Sequence, residues 1–404
     1  MMYSIFRYLA TVALTSIILF IFINTIAWLM LKPDGTDIRW RDGFQIAPQS
    51  KKGVMLRKRI LGIENEPLLE ELRNSPGLRP HTVLSFTTRT SKPGYTTGIL
   101  GMRYESSWTD KEARDLLNDS VWIFGGSTVY GQGVDDDSTL AAFLNRMSPN
   151  TNFINFGTNA YDSQREGDKL LYLLRLGHRP KSVVFIDGLN DASTFASSPY
   201  EGQNKPRPEG YLLERSNLSL VYGFPDLPNM ARAFTYSLPI THFFIREKNI
   251  NKTIKYGDID PNQDAVNMRE VAWYAENYLK FSEQNTNAIL EEWPKYYARH
   301  INFIENLGRA FDFETLFVLQ PIGHMDRKNP FVLDQWFESH ASKYFSFFLD
   351  MAKKNIKEGN LKMLSCTDTF DAIDRSMAYI DSTHYSPQGN EQLAKCLLAG
   401  LKKH

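Results

Sequence analysis

A serine hydroxyl attacks a carbonyl only once a base takes its proton, and a histidine acts as that base only when another group fixes its ring. Ser127 stands where such a hydroxyl would be useful, directly after Gly125-Gly126 at the end of the short apolar run Val121-Trp122-Ile123-Phe124. The two glycines let the chain turn sharply and leave the hydroxyl at the tip. The same stretch also reads as a Ser-Thr pair capping a helix, so a base has to be found elsewhere. Of the eight histidines, only His384 has a carboxylate three residues before it, Asp381. In a turn leading into a helix, that spacing lets the acid hold one imidazole nitrogen and leave the other facing outward. A tetrahedral intermediate also needs preorganised donors: the backbone amides of Ser127 and Gly157 and the side-chain amide of Asn190 are the candidates. Taken singly, Gly157 and Asn190 suit ordinary turns equally well.

These residues sit at the ends of a regular rhythm. From Ser120 onward, short apolar runs alternate with helical patterns, as in a parallel sheet covered on both faces. The runs are 121–124, 153–156, 182–186, 315–319 and 361–364. The first three end in polar, glycine-containing turns, the third being Asp187-Gly188-Leu189-Asn190-Asp191. In an open parallel sheet the carboxyl ends of the strands form the ligand crevice, so these turns should cluster. Ser386 and Pro387 read as the N-cap and first residue of a closing helix that runs to Lys402. Between Ala196 and about Asp260 the rhythm gives way to prolines and aromatics, among them Tyr200, Tyr211 and Tyr222. A stretch this long reads as a lid, a substrate platform or a packed decoration. A helical segment from Ala265 to Ala310, broken near Pro294, completes an insertion over 196–312.

Phe124-Gly-Gly-Ser127-Thr128 with Tyr130-Gly131-Gln-Gly133-Val134, then Asn155-Phe-Gly157, Asp187-Gly188-Leu-Asn190-Asp191 and Asp381-Ser-Thr-His384 resemble the four blocks of the SGNH hydrolases. This is the superfamily of GDSL esterases and lipases. The resemblance covers Ser120 to the C-terminus apart from the insertion. It implies a three-layer, flavodoxin-like α/β fold and acyl ester hydrolysis without metal or other cofactor. It further implies Ser127 as nucleophile, His384 as base, Asp381 as its orienter, and Ser127, Gly157 and Asn190 as oxyanion donors. Gly126 departs from the founding motif, which has Asp there. Gln320-Pro321 resembles a strand end seen in secreted members, which would place Gln320 either against substrate or in a structural turn.

The rest of the chain bounds the setting. Lys plus Arg and Asp plus Glu both number 46, which leaves no global charge to draw a nucleic acid. The turn after the first strand lacks both Gly-x-Gly-x-x-Gly and a Lys-Ser/Thr phosphate loop, which disfavours a nucleotide site. Residues 8–31 carry no charge and are long enough to cross a bilayer as an uncleaved anchor. Residues 32–119 read as a membrane-proximal linker or decoration, leaving 120–404 as the catalytic domain. Arg7 precedes the apolar run while Lys32, Arg39 and Arg41 follow it, so the charge bias leans against export. Cys366 and Cys396 could be apolar fillers, or a pair if the domain lies in an oxidising compartment. The sequence thus predicts a membrane-anchored serine esterase for an envelope glycan or lipid-linked acyl ester. An acyltransferase with the same triad and a noncatalytic carbohydrate-binding module are the alternatives.

Overall fold

The computed structural model describes residues 15–16, 19–23, 51–73, 78–80, 85–87, 90–92, 94–98, 100–197, 283–338 and 340–402. The chain divides into two compact units. One comprises Met1–Gly43, Arg207–Gln263 and Asn267–Trp273, of which only 15–16 and 19–23, both helical, are described. The other comprises Phe44–Pro206, Asp264–Val266 and Tyr274–His404. Among the described residues no helix is long and apolar enough to cross a membrane. The expected span 8–31 lies outside them, apart from the helical residues just given.

The second unit is built on a five-stranded parallel sheet. Its strands are β1 (Val121–Gly125), β2 (Phe153–Asn155), β3 (Ser182–Asp187), β4 (Glu314–Leu319) and β5 (Leu364–Ser365), in the spatial order β2-β1-β3-β4-β5. That order, 2-1-3-4-5, is the flavodoxin-like one. The helices packed on its faces include α1 (Leu140–Met147), α2 (Ser163–Arg175), α3 (Glu283–Phe311), α4 (His340–Lys357) and α5 (Pro387–Leu401).

Side chains alternate across the strands, and each face has its own core. Trp122, Phe124, Val183, Phe185 and Phe317 pack with Leu170 and Leu173 of α2, Trp293, Tyr297, Ile301 and Ile304 of α3, and Phe348 of α4. Val121, Ile123, Val184, Ile186, Leu316 and Val318 pack with Leu140 and Leu144 of α1 and Leu393 and Leu397 of α5. On the first face, Phe156, Phe124, Phe185 and Phe317 stack in a row, with ring centroids 5.5, 5.1 and 5.5 Å apart. Such a row fixes the register of neighbouring strands and hence the level at which each one ends.

Two features differ from the sequence expectation. The helix α3 runs unbroken through Pro294, and it is the crossover between β3 and β4 rather than the tail of an insertion. Proline removes one intrahelical hydrogen bond, but Trp293, Tyr297, Ile301 and Ile304 bury the same face against the sheet. That burial outweighs the lost bond, and residues 283–311 of the expected insertion over 196–312 pack on the sheet as a single helix. The proline- and aromatic-rich part of that insertion, 198–282, lies outside the described residues.

Residues 32–50 lie outside the described residues as well, but the later part of the expected linker is structured. Thr90–Lys92 and Tyr95–Thr97 form an antiparallel hairpin. Arg103 makes single bridges to Thr97 and to Asn155, so this segment covers the open edge of β2. The pairing with β2 was hidden because Arg103 and Asn155 lie more than fifty positions apart. Cys366, just past β5, is disulfide-bonded to Cys396 in α5, with Cα atoms 6.1 Å apart.

Candidate active site

All the turns of interest emerge at the carboxyl edge of the sheet. After β1 the chain passes through Gly125 and Gly126 into a single helical turn, Ser127–Tyr130. A Cβ on Gly125 would lie 2.2 Å from a methyl of Val129, and one on Gly126 would lie 2.1 Å from Asn190 Nδ2. Close approach thus favours glycine at both positions, most firmly at Gly125, where the Val129 Cβ would lie 2.8 Å away.

At the other end of the unit, Asp381 and His384 lie in a tight loop closed by the bridge between Tyr379 and Tyr385. The Ile380 amide donates to the His384 carbonyl at 3.0 Å. Asp381 Oδ1 accepts from the amides of Thr383 and His384, both at 2.7 Å, an Asx-type turn that aims the other carboxylate oxygen at the ring. Asn329 Nδ2 holds the Asp381 carbonyl at 3.1 Å. Ser386 caps α5 as expected, accepting from the Gly389 amide at 3.1 Å.

These two turns meet. His384 Nε2 lies 2.8 Å from Ser127 Oγ, and Nδ1 lies 2.7 Å from Asp381 Oδ2. Burial alone would raise the Asp381 carboxyl, but the His384 charge, the ring hydrogen bond and the two amides hold it down at about 2. An ionised Asp381 fixes the proton on Nδ1 and leaves Nε2 free to accept from Ser127.

The three expected oxyanion donors are placed differently from one another. As first residue of its helix, Ser127 has no intrahelical acceptor for its N–H. Asn190 Nδ2 donates to the Tyr161 carbonyl at 2.6 Å and lies against the Gly126 backbone, one residue from the nucleophile. A carboxamide nitrogen carries two hydrogens, so one remains for a ligand. The Gly157 amide already has a partner within the protein, donating to Asn155 Oδ1 at 2.9 Å. What requires glycine there is packing, since a Cβ would lie 2.3 Å from the Tyr130 nitrogen.

Of the two places the sequence left open for Gln320, the structure has it buried at the strand end. The residue is 2% exposed, and its Oε1 accepts from Thr128 Oγ1 at 2.7 Å and from Tyr385 Oη at 3.2 Å. Its neighbours in space are therefore the residues next to Ser127 and His384.

Two groups support these residues, and the first, Arg103, carries no local sequence signal. Arg103 is buried and satisfies the loop after Ser127: Nε donates to Asp136 Oδ1 at 2.8 Å, Nη1 to the Tyr130 and Gly131 carbonyls at 3.0 and 2.5 Å, and Nη2 to the Gly94 and Val134 carbonyls at 2.8 and 2.7 Å. Its cation lies over the Tyr95 and Tyr130 rings, 4.3 and 5.1 Å from their centroids. Behind Asn190, Asp187 accepts from the Tyr297 hydroxyl, and Asp191 Oδ1 accepts from Ser163 Oγ at 2.5 Å. Burial and then the nearby Asp162 push Asp191 up to about 7.

A serine, its base and an orienting acid in series on a 2-1-3-4-5 parallel sheet define the site as an activated serine nucleophile. No family model matches the sequence, and no curated protein matches it. Among solved structures, the chain is similar to a member of the lipolytic G-D-S-L family from Veillonella parvula, at 10% identity and a TM-score of 0.34 over 70% of this chain and 99% of that one. It is similar to the acetyl xylan esterase AlAXEase at 11% identity and a TM-score of 0.34 over 70% and 98%. A GDSL-like lipase from Bacteroides thetaiotaomicron aligns at 10% identity and a TM-score of 0.34 over 72% and 95%. These three are by their descriptions lipolytic and acetyl-esterase proteins, all remote in sequence.

Proposed function

We propose that the protein is a serine acyl ester hydrolase of the SGNH type. The observation that carries this reading is the 2.8 Å contact between Ser127 Oγ and His384 Nε2, with Asp381 on the far side of the ring. Ser127 Oγ attacks the acyl carbonyl as its proton passes to Nε2, forming a tetrahedral intermediate. The Ser127 amide and the remaining Asn190 N–H stabilise its oxyanion. The imidazolium then protonates the departing alkoxide, leaving an acyl-serine and an alcohol. Water, giving its proton to Nε2, attacks that ester and releases the acid and the serine. Asp381 stays ionised throughout and balances the imidazolium charge.

The substrate we propose is an acyl ester, including O-acetyl, of an envelope glycan or a lipid-linked molecule. Support for it is placement: an uncharged run over 8–31 suited to anchor the protein, and an aromatic-rich stretch beyond β3. We place the catalytic domain in the periplasm or outside the cell, since the Cys366–Cys396 disulfide suits an oxidising compartment. Lys32, Arg39 and Arg41 lean the other way, and reporter fusions at the C-terminus decide between them.

The test is turnover of short acyl esters and acetylated glycans by the full chain and by Ser127→Ala. The reading requires free acid from the first and none from the second. Transfer of the acyl group to an added sugar hydroxyl in place of water would instead make the protein a transferase.

A further inference from the structure

The nucleophile and the base come from opposite ends of the fold, Ser127 from the turn after β1 and His384 from the loop after β5. Their contact is useful only if the two segments hold a fixed separation, because misplacing a reacting group by an ångström costs orders of magnitude in rate. One atom touches both segments. Gln320 Oε1, at the end of β4, accepts from Thr128 Oγ1 at 2.7 Å and from Tyr385 Oη at 3.2 Å. Thr128 follows the nucleophile in the chain and Tyr385 follows the base.

The atom is well held. The Gln320 amide donates to the Asp187 carbonyl at 3.0 Å, continuing the pairing of β3 and β4 by one residue. The Tyr385 hydroxyl also donates to the neighbouring Pro321 carbonyl at 2.5 Å. Its single proton is shared between two acceptors on adjacent residues of the same strand end. Gln320 and Tyr385 are both 2% exposed and Thr128 is 4% exposed. Solvent cannot readily stand in for a lost acceptor at this depth.

We propose that Gln320 is a positioning residue for the Ser127 and His384 pair, its carboxamide oxygen tying the segment that carries the nucleophile to the segment that carries the base. A carboxamide oxygen has two lone pairs and no charge, so it can accept both bonds without burying an ion. Gln320 touches neither the reacting atoms nor their protons. Its effect is on the distance between them.

The inference rests on the hydrolase reading, and the experiment separates the two. Steady-state hydrolysis of p-nitrophenyl acetate is measured on the full chain and on Gln320→Met, with the folded fraction fixed by thermal melting. Removing the acceptor should lower kcat about tenfold or more while KM stays within a factor of about two. Gln320→Glu, which restores an acceptor, should recover part of the loss and shift the pH profile. A folded Gln320→Met with kcat within twofold of the parent overturns the inference, whereas a parent chain that never turns over ester overturns the hydrolase reading and this inference with it. Should Gln320→Met fail to fold, Thr128→Val and Tyr385→Phe remove the donors one at a time. Each should lower kcat, and the double variant should lose less than the product of the single losses, because both act through one oxygen. Strictly multiplicative losses, or none, overturn the inference.

Discussion

His384 Nε2 and Ser127 Oγ lie 2.8 Å apart although 257 positions separate them in the chain. That closeness is produced by the sheet: β1 is an interior strand, the loop after the last strand returns to the same edge, and the stacked phenylalanines level the strand ends. The chemistry follows from how firmly each partner is held.

Asp381 should give an acid limit to both activity and stability. Its carboxyl lies at about 2 in the folded protein, below the ordinary 3.8, so its contribution is present above pH 4 and is lost as pH falls toward 2. The shift corresponds to about 2 kcal/mol. Acid titration of the melting temperature should show this loss in the parent and not in Asp381→Asn. The same variant should retain its fold near neutral pH but lose roughly two to four orders of magnitude in kcat, as the ring settles in the wrong tautomer.

Removing Arg103 should unfold the loop after Ser127. Arg103→Met removes the cation beside the buried Asp136 carboxylate and takes the Arg103 hydrogen bonds from four carbonyl groups. The expected cost is about 3–5 kcal/mol by chemical denaturation. Arg103→Lys should recover little, because one ammonium cannot reproduce the five-donor fork.

Gly157→Ala tests the packing requirement at that position. The new methyl would meet backbone rather than a side chain, so the Ser127 helix must move. A loss of about 1–3 kcal/mol in stability should accompany lower activity. Unchanged stability would contradict the packing requirement, since alanine keeps the backbone N–H and adds only the methyl.

Reduction of the Cys366–Cys396 bond should loosen the base side of the site, since it ties the segment after β5 to α5. Thirty positions separate the two cysteines, and a bridge of this span contributes roughly 3–4 kcal/mol in the chain-entropy view. Cys366→Ser with Cys396→Ser should lower the melting temperature, and a reductant should do the same to the parent but nothing further to the variant.

Ser127, Asp381 and His384 were legible in the sequence because each carries a local mark: glycines before a hydroxyl at a strand end, and an acid three residues before a histidine that precedes a proline-started helix. The parallel sheet was legible for a similar reason, as apolar runs alternating with helical periods. Arg103 carries no such mark. It is one charged residue among many until the chain folds, and its partners lie both before it and after it. Gly157 was read from its place at a strand end, but the direction of its N–H depends on Asn155, whose side chain turns back to accept it. Gln320 was expected either to face substrate or to sit in a structural turn; the choice depends on Thr128 and Tyr385, which reach it only in three dimensions. Pro294 misled in another way: local chemistry predicted a break, and tertiary burial of Trp293 and Tyr297 kept the helix whole.

The most direct test of the account is covalent modification by a fluorophosphonate, located by peptide mass spectrometry. The parent chain should carry a single adduct on Ser127 oxygen near neutral pH, Ser127→Ala should carry none, and His384→Gln should react at least a hundredfold more slowly. A folded parent that stays unmodified, or an adduct on a residue other than Ser127, would contradict it.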